Sequence, residues 1–246
     1  MTRMLASVCT IKEAQIVLRE GVDIIDLKDP KSGALGALDL DTISSVVKLV
    51  DNDLPTSATI GDISSDNPKI KNRIIDVAAT GVDYVKVGLF SKKITKNFLN
   101  AIKESSAYKI KIVIVVFAED LEDVKALEPI IKSNIQGIML DTKNKSRLNL
   151  CSLVELEHIE KFIQLGKSYN LITGLAGSIN HNHIDRLLPL RPDYLGFRGA
   201  LCVKRNRISS VDALSVKKIK DIIHKKKLID CDNGLTKEVL INGSMA

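Results

Sequence analysis

Tryptophan is absent from the 246 residues, and aromatic side chains make up only 4% of them. Few ring faces are on offer for stacked bases, which argues against a single-stranded nucleic-acid module. Cysteine is scarce. Cys9, Cys151, Cys202 and Cys231 form no C-x-x-C pair and have no histidine at zinc spacing. They read as reduced thiols of a cytoplasmic protein, not as a disulfide or metal framework. The four histidines (His158, His181, His183 and His224) fall on helices or helix starts with no evident acidic or thiolate partner. The residues therefore lead us to expect no metal and no cofactor. Long apolar runs are also missing. The longest, Ile112 to Ala118, has seven residues, against about 20 for a membrane-spanning helix. The stretch Met4 to Cys9 is too short for the core of a signal peptide. No membrane partner is expected.

The net charge of +6 is unevenly spread. Between Val203 and Lys227 there are nine Lys or Arg and two Asp, a local net of +7, which leaves the rest of the chain at −1. A basic run of this kind reads as a solvated helix face, and no nucleic-acid partner is expected from it.

What the chain does contain is a repeated alternation. Short β-branched runs (4–9, 22–28, 56–60, 84–88, 110–118, 137–141, 171–175 and 194–197) are each followed by a stretch of helical period. Thr10-Ile11-Lys12-Glu13 and Ser152-Leu153-Val154-Glu155 both have the form of a capping box opening a helix. The last helical stretch runs from Val211 to Lys227. Eight strand–helix units in about 250 residues predict a single-domain α/β protein, a (β/α)8 TIM barrel over residues 1–228. Residues 229–246 show no periodicity and are expected to form a mobile tail. A doubly wound dinucleotide fold would want G-x-G-x-x-G after the first strand, and that motif is absent.

Active sites of this barrel lie at the C-terminal ends of the strands, and the polar residues gather there. Asp26 and Lys28 end the second strand, Asp62 follows the third, Lys86 lies in the fourth and Asp141 ends the sixth. Strand side chains alternate between faces. If Ile25, Leu27, Val85 and Val87 meet the helices, then Asp26, Lys28 and Lys86 point into the barrel. Asp141 shares a face with Met139 and can point inward too. Alternate strands fill common layers, so groups on strands two, four and six can converge. Two lysines and two aspartates in one mouth are hard to justify as stabilisation, because burying ion pairs is costly.

A second signal lies in the last two strands, which end in Gly174-Leu175-Ala176-Gly177-Ser178 and Gly196-Phe197-Arg198-Gly199-Ala200. Loops of this kind let backbone N–H groups approach a phosphate. Gly177, Ser178 and Gly199 are the candidate backbone contacts, with Arg198 adding a charge-assisted bond. A lysine amine in a desolvated cavity beside a second cation is a route to a neutral nucleophile. The residues alone thus predict a metal-free, lysine-dependent lyase acting on a small phosphorylated carbonyl compound.

The blocks D-I-I-D-L-K-D-P-K-S-G-A-L-G-A (23–37), S-A-T-I-G-D (57–62), G-V-D-Y-V-K-V-G-L (81–89), M-L-D-T-x-x-K (139–145), L-A-G-S-I (175–179) and G-F-R-G-A-L-C (196–202) occur in this order. Together they resemble the (5-formylfuran-3-yl)methyl phosphate synthase family, also called 4-(hydroxymethyl)-2-furancarboxaldehyde phosphate synthase. The resemblance runs from about residue 4 to residue 204. It implies a carbon–oxygen lyase of methanofuran biosynthesis that condenses two molecules of glyceraldehyde 3-phosphate without metal or organic cofactor. It also implies Lys28 as the Schiff-base residue, with Asp26, Lys86, Asp141 and Lys145 as its catalytic companions. After Cys202, Val203-Lys204-Arg205-Asn206-Arg207 departs from the family pattern, which leaves the phosphate contacts after strand eight open. Two other readings stay open as well: another Schiff-base aldolase of the same fold, and a nucleic-acid module using residues 203–227. The oligomeric state is not fixed by the sequence, and assembly into a homo-oligomer stays open.

Overall fold

The computed structural model describes residues 1–144 and 148–225. Eight parallel strands pair in chain order: β1 (Arg3–Val8), β2 (Ile24–Leu27), β3 (Thr56–Thr59), β4 (Tyr84–Gly88), β5 (Ile112–Phe117), β6 (Gly137–Asp141), β7 (Ile172–Leu175) and β8 (Tyr194–Phe197). β8 returns to pair with β1, with Arg3 opposite Tyr194, so the sheet closes into a barrel. The outer layer is α1 (Ile11–Arg19), α2 (Leu40–Val50), α3 (Ile70–Ala78), α4 (Lys96–Ser106), α5 (Glu128–Ile131), α6 (Leu150–Leu153), α7 (Leu156–Ser168), α8 (His181–Leu187) and a last helix over residues 213–225 (α9). The chain is the expected (β/α)8 barrel. The expected tail, 229–246, lies outside the described residues.

The period-2 pattern of the strands sorts the core into two layers. Ile25, Leu27, Val85, Val87, Ile138 and Leu140 pack outward against helix residues such as Ile43, Ile74 and Phe162. Leu5, Ile24, Val115, Phe117, Met139 and Tyr194 fill the barrel interior instead. The parity read from V-K-V and I-D-L therefore holds in space.

Two local expectations are corrected. The stretch Leu121 to Ser133 predicts one long helix, but the chain forms a 3-10 turn (Val124–Leu127) followed by the single turn of α5, where Pro129 sits in the first helical turn. Proline lacks the N–H that would continue a helix back through that turn. Ser152 caps nothing. It lies inside α6, which Asn149 caps through its side chain, and α7 begins after Glu155 with no side-chain cap.

At the N-terminal face of the barrel a repeated device ties strands in pairs. Asp23, Asp83 and Asp193 each directly precede an even-numbered strand. Each accepts a backbone N–H from the preceding strand, Met4, Thr56 and Thr173 respectively, at 2.7 Å in every case. These carboxylates answer N–H groups at strand starts, where the ladder has no partner for them. They lie at the end of the barrel opposite the expected site, where polar residues serve stability.

Candidate active site

β1, β2 and β3 carry Ser7, Asp26 and Ser57 at matched register. Side chains at matched positions of a parallel sheet point the same way, so both hydroxyls reach the Asp26 carboxylate. Ser7 Oγ donates at 2.8 Å to Oδ2 and Ser57 Oγ at 2.7 Å to Oδ1. Lys86 reaches across from β4, and its Nζ lies 3.0 Å from the same Oδ1. Neither partner meets solvent appreciably: Asp26 is 0% exposed and Lys86 3%. Even-numbered strands thus meet in one layer, as barrel packing predicts.

Burial opposes the charge on Asp26. Lys86, Lys28 and the hydroxyls of Ser57 and Ser7 together outweigh it and hold the carboxyl below the ordinary carboxylate range. A carboxylate held in this way is a weak proton acceptor. Its service is to hold the Lys86 side chain in place at the floor of the cavity.

Above that floor opens a cavity of about 800 Å³ at the C-terminal ends of the strands, within the roughly 300–1,000 Å³ usual for small-molecule sites. Lys28, Lys86, Asp141, Gly177, Ser178 and Gly199 all line it. Asp26 lies behind Lys86 and is not on its wall. Lys145, the remaining expected site residue, lies outside the described residues. Asp141 is 1% exposed, and its Oδ1 accepts the N–H of Thr142 at 2.7 Å. Gly177 needs to be glycine. Its φ is +98°, and a Cβ there would lie 2.7 Å from Thr142 Cγ2. Among the described residues, the N–H groups of Gly177, Gly199 and Ala200 meet no protein acceptor.

The loop after β2 is drawn over the mouth by Asp62, whose carboxylate accepts the N–H groups of Ala34 at 2.8 Å and Leu35 at 2.6 Å. Asp62 therefore positions the D-P-K-S-G-A-L-G loop.

Arg198 departs from expectation. Its Nη1 and Nη2 grip the Glu13 carboxylate at 2.6 and 3.1 Å. Nη1 also donates to the Ser7 carbonyl, Nη2 to the Ser209 carbonyl and Nε to the Arg207 carbonyl. An arginine has five N–H donors, and here the protein occupies all five. Arg198 lines the cavity with the other expected residues, but its donors are engaged in an internal clamp. Glu13 corrects the capping-box reading in the same way. Thr10 does cap α1 by accepting the Glu13 N–H, but the Glu13 side chain turns inward to Arg198, to the Cys9 N–H and to the Val211 N–H. Burial resists the Glu13 charge, while Arg198 and the Cys9 N–H outweigh it, so its pKa is lowered.

Four residues of the site carry no signal in the sequence taken locally. Ser7 and Ser57 look like ordinary small residues in strands, Glu13 looks like a cap, and Arg207, which also lines the cavity, sits in a segment without periodicity. Among the described residues no group of three or more His, Cys, Asp or Glu could hold a metal ion, and no helix is long and apolar enough to cross a membrane.

An eight-stranded barrel with a lysine–carboxylate pair beneath a polar cavity, at the C-terminal ends of its strands, belongs to the class of (β/α)8-barrel enzymes. Solved structures of that class are similar in fold. Phosphoribosyl anthranilate isomerase from Thermus thermophilus superposes with a TM-score of 0.64 at 10% identity over 91% of this chain and 99% of that one. 3-Hexulose-6-phosphate synthase gives 0.62 at 16% identity over 89% and 99%. The chain belongs to the 4-HFC-P synthase family, whose model matches residues 4–220. It is 34% identical to the (5-formylfuran-3-yl)methyl phosphate synthase of Methanocaldococcus jannaschii, with 89% of this chain and 98% of that protein covered. It is likewise 34% identical to the synthase of the same name from Methanococcus aeolicus, over 81% and 89%.

Two outcomes test the electrostatics. Glu13→Gln leaves Arg198 buried without its counter-charge, and breaking such a pair costs about 3–5 kcal/mol. At ~2–4 °C per kcal/mol for a chain of this size, calorimetry should show the melting temperature falling by roughly 6–20 °C. An unchanged melting temperature would contradict the clamp. Asp26 supplies the second outcome. Because its folded-state pKa is lowered, its stabilisation is present above the unfolded value of about 3.9 and is lost as pH falls through the lowered one. Asp26→Asn should be less stable than the parent at neutral pH, and its urea midpoint should change less between about pH 5 and pH 2. Equal acid slopes in the two proteins would refute that account.

Proposed function

We propose that this protein condenses two molecules of glyceraldehyde 3-phosphate into (5-formylfuran-3-yl)methyl phosphate, as a carbon–oxygen lyase of methanofuran biosynthesis in the cytoplasm. The names of its relatives support the product. The observation that carries the chemistry is the Asp26–Lys86 pair at the floor of the cavity, with Lys28 on its wall. The balance is simple: the six carbons of two trioses are kept, and one phosphate and two waters leave.

The two lysines differ in what holds them. Lys86 is tied to a carboxylate, and in this reading it acts as a donor of fixed position towards the substrate's oxygen atoms. Lys28 is two residues from Asp26 on the same face, one step nearer the mouth, and in this reading it is the nucleophile. Its amine adds to the aldehyde carbon of one triose phosphate, and loss of water gives the imine. The imine withdraws electrons from the neighbouring carbon, whose proton passes to the Asp141 carboxylate. The carbon–carbon bond then forms between the two trioses, one of which expels its phosphate, closure and dehydration of the furan ring release a net two waters, and hydrolysis of the imine frees Lys28. Lys145 joins this set by family resemblance. The N–H groups of Gly177, Ser178 and Gly199 hold phosphate oxygens in the same reading.

Borohydride added during turnover should leave a stable three-carbon or six-carbon adduct on Lys28, located by peptide mass mapping. Lys28→Arg should abolish the adduct and lower activity by on the order of 10³-fold or more, because a guanidinium stays charged and does not attack. Lys86→Arg keeps the charge and should keep the adduct. An adduct on Lys86 would exchange the roles of the two lysines, and no adduct on either would remove the covalent mechanism.

A further inference from the structure

Arg198 spends its donors on internal acceptors, so a cationic group with donors to spare for a phosphate is sought elsewhere on the cavity wall. The segment after β8 supplies it. Residues 202–211 fold back on themselves, with Cys202 bridged antiparallel to Val211 and the Val203 N–H bonded to the Ser210 carbonyl at 3.0 Å. Lys204 and Arg205 both have positive φ (53° and 55°) where this strap turns. The Glu13–Arg198 clamp takes hold of the strap at three points: the carbonyls of Arg207 and Ser209 and the N–H of Val211. A buried, bidentate ion pair thus sets the backbone of Arg207 against the barrel.

The Arg207 side chain then reaches back over the mouth. Its Nη2 donates to the Gly33 carbonyl at 3.0 Å, joining the strap to the loop after β2. Among the described residues this is its one hydrogen bond to the protein through the guanidinium, which leaves most of its fork to the cavity it lines. Partial burial lowers its pKa, partly offset by the Asp141, Asp62 and Asp29 carboxylates. Arg207 lines the cavity together with Asp62 and Asp141, so its charge stands among the site's own acids. Against the base of the Arg207 side chain lies Gly199, which also lines the cavity; a Cβ built on it would be 3.7 Å from the Arg207 Cβ, and its N–H meets no protein acceptor among the described residues. A planar guanidinium and an unpaired main-chain N–H on the wall of one cavity suit the oxygens of a phosphomonoester dianion.

We propose that Arg207 is the residue that selects phosphorylated substrates at this site, and that Glu13 and Arg198 are positioning residues that hold it there. The inference rests on the reading that the substrate is a triose phosphate, but its first test does not. Inorganic phosphate titrated by calorimetry into the full-length protein should bind, and Arg207→Gln should weaken that binding at least tenfold. Arg207→Lys, which keeps a point charge without the fork, should fall between the two. With glyceraldehyde 3-phosphate, Arg207→Gln should raise KM at least tenfold while kcat changes less than threefold, because the lost contact is made equally in the ground state and the transition state. Preference over unphosphorylated glyceraldehyde should fall by the same factor.

The positioning role is read at a temperature where every variant is fully folded. There Arg198→Lys should also weaken phosphate binding, while Arg207→Gln leaves the melting temperature near that of the parent. If the parent protein binds no phosphate, or if Arg207→Gln binds it as the parent does, the assignment of Arg207 is overturned. If phosphate binding depends on Arg207 but glyceraldehyde 3-phosphate is not turned over, the assignment stands and the proposed reaction is the part that fails. If Arg198→Lys leaves phosphate affinity unchanged, the clamp serves stability alone.

Discussion

The site is organised by one carboxylate that has no access to water. Asp26 is completely buried and carries its charge only because Lys86, two serine hydroxyls and the nearby Lys28 surround it. Taking a carboxylate and an ammonium out of water costs several kcal/mol for each ion, and removing one partner strands the other. The barrel is built to supply those partners. Serines stand at matched register on the two neighbouring strands, and the lysine comes from the next even strand, so the layer that packs the interior also balances its charge. What this arrangement provides is a cation of fixed position at the floor of a cavity, beside a second lysine.

A second ion pair does the corresponding work at the rim. Glu13 at the start of α1 and Arg198 at the end of β8 are 185 residues apart in the chain and adjacent in the closed barrel, because β8 returns to β1. Their pairing exists only once the barrel has closed. It then orders the strap that carries Arg207 and, through the Gly33 carbonyl, touches the loop that Asp62 holds from the other side. Floor and rim are coupled at one residue: Ser7 gives its hydroxyl to Asp26 and its carbonyl to Arg198.

Much of this was legible in the sequence, and the reasons are physical. Alternation along a strand is a local property, so D-L-K after I-I and K between two valines disclosed which side chains face inward. The count of strand–helix units then fixed the closure that brings even strands together. Partnership was not legible. Nothing near Ser7 or Ser57 says that a carboxylate lies opposite, because that depends on register between strands. Glu13 obeys the spacing of a capping box, yet a stronger attraction, a guanidinium from the far end of the barrel, takes its side chain. Arg198 was read by the glycines around it, as a group next to a loop that approaches a phosphate, whereas its five donors turn away into the fold. Arg207 had no periodic segment to place it. The shortened α5 reflects Pro129, a residue whose effect on the preceding turn is local and visible in the sequence.

The reaction proposed for this cavity joins two triose phosphates with no further reactant. Incubation of the purified protein with glyceraldehyde 3-phosphate as the sole carbon compound, followed by near-ultraviolet absorbance, product mass and phosphate release, tests it directly. The account predicts a furan aldehyde phosphate absorbing in the near ultraviolet, with one inorganic phosphate freed for every two trioses consumed. Consumption of the triose into a sugar phosphate with no such absorbance and no phosphate release, or no consumption at all, would contradict it.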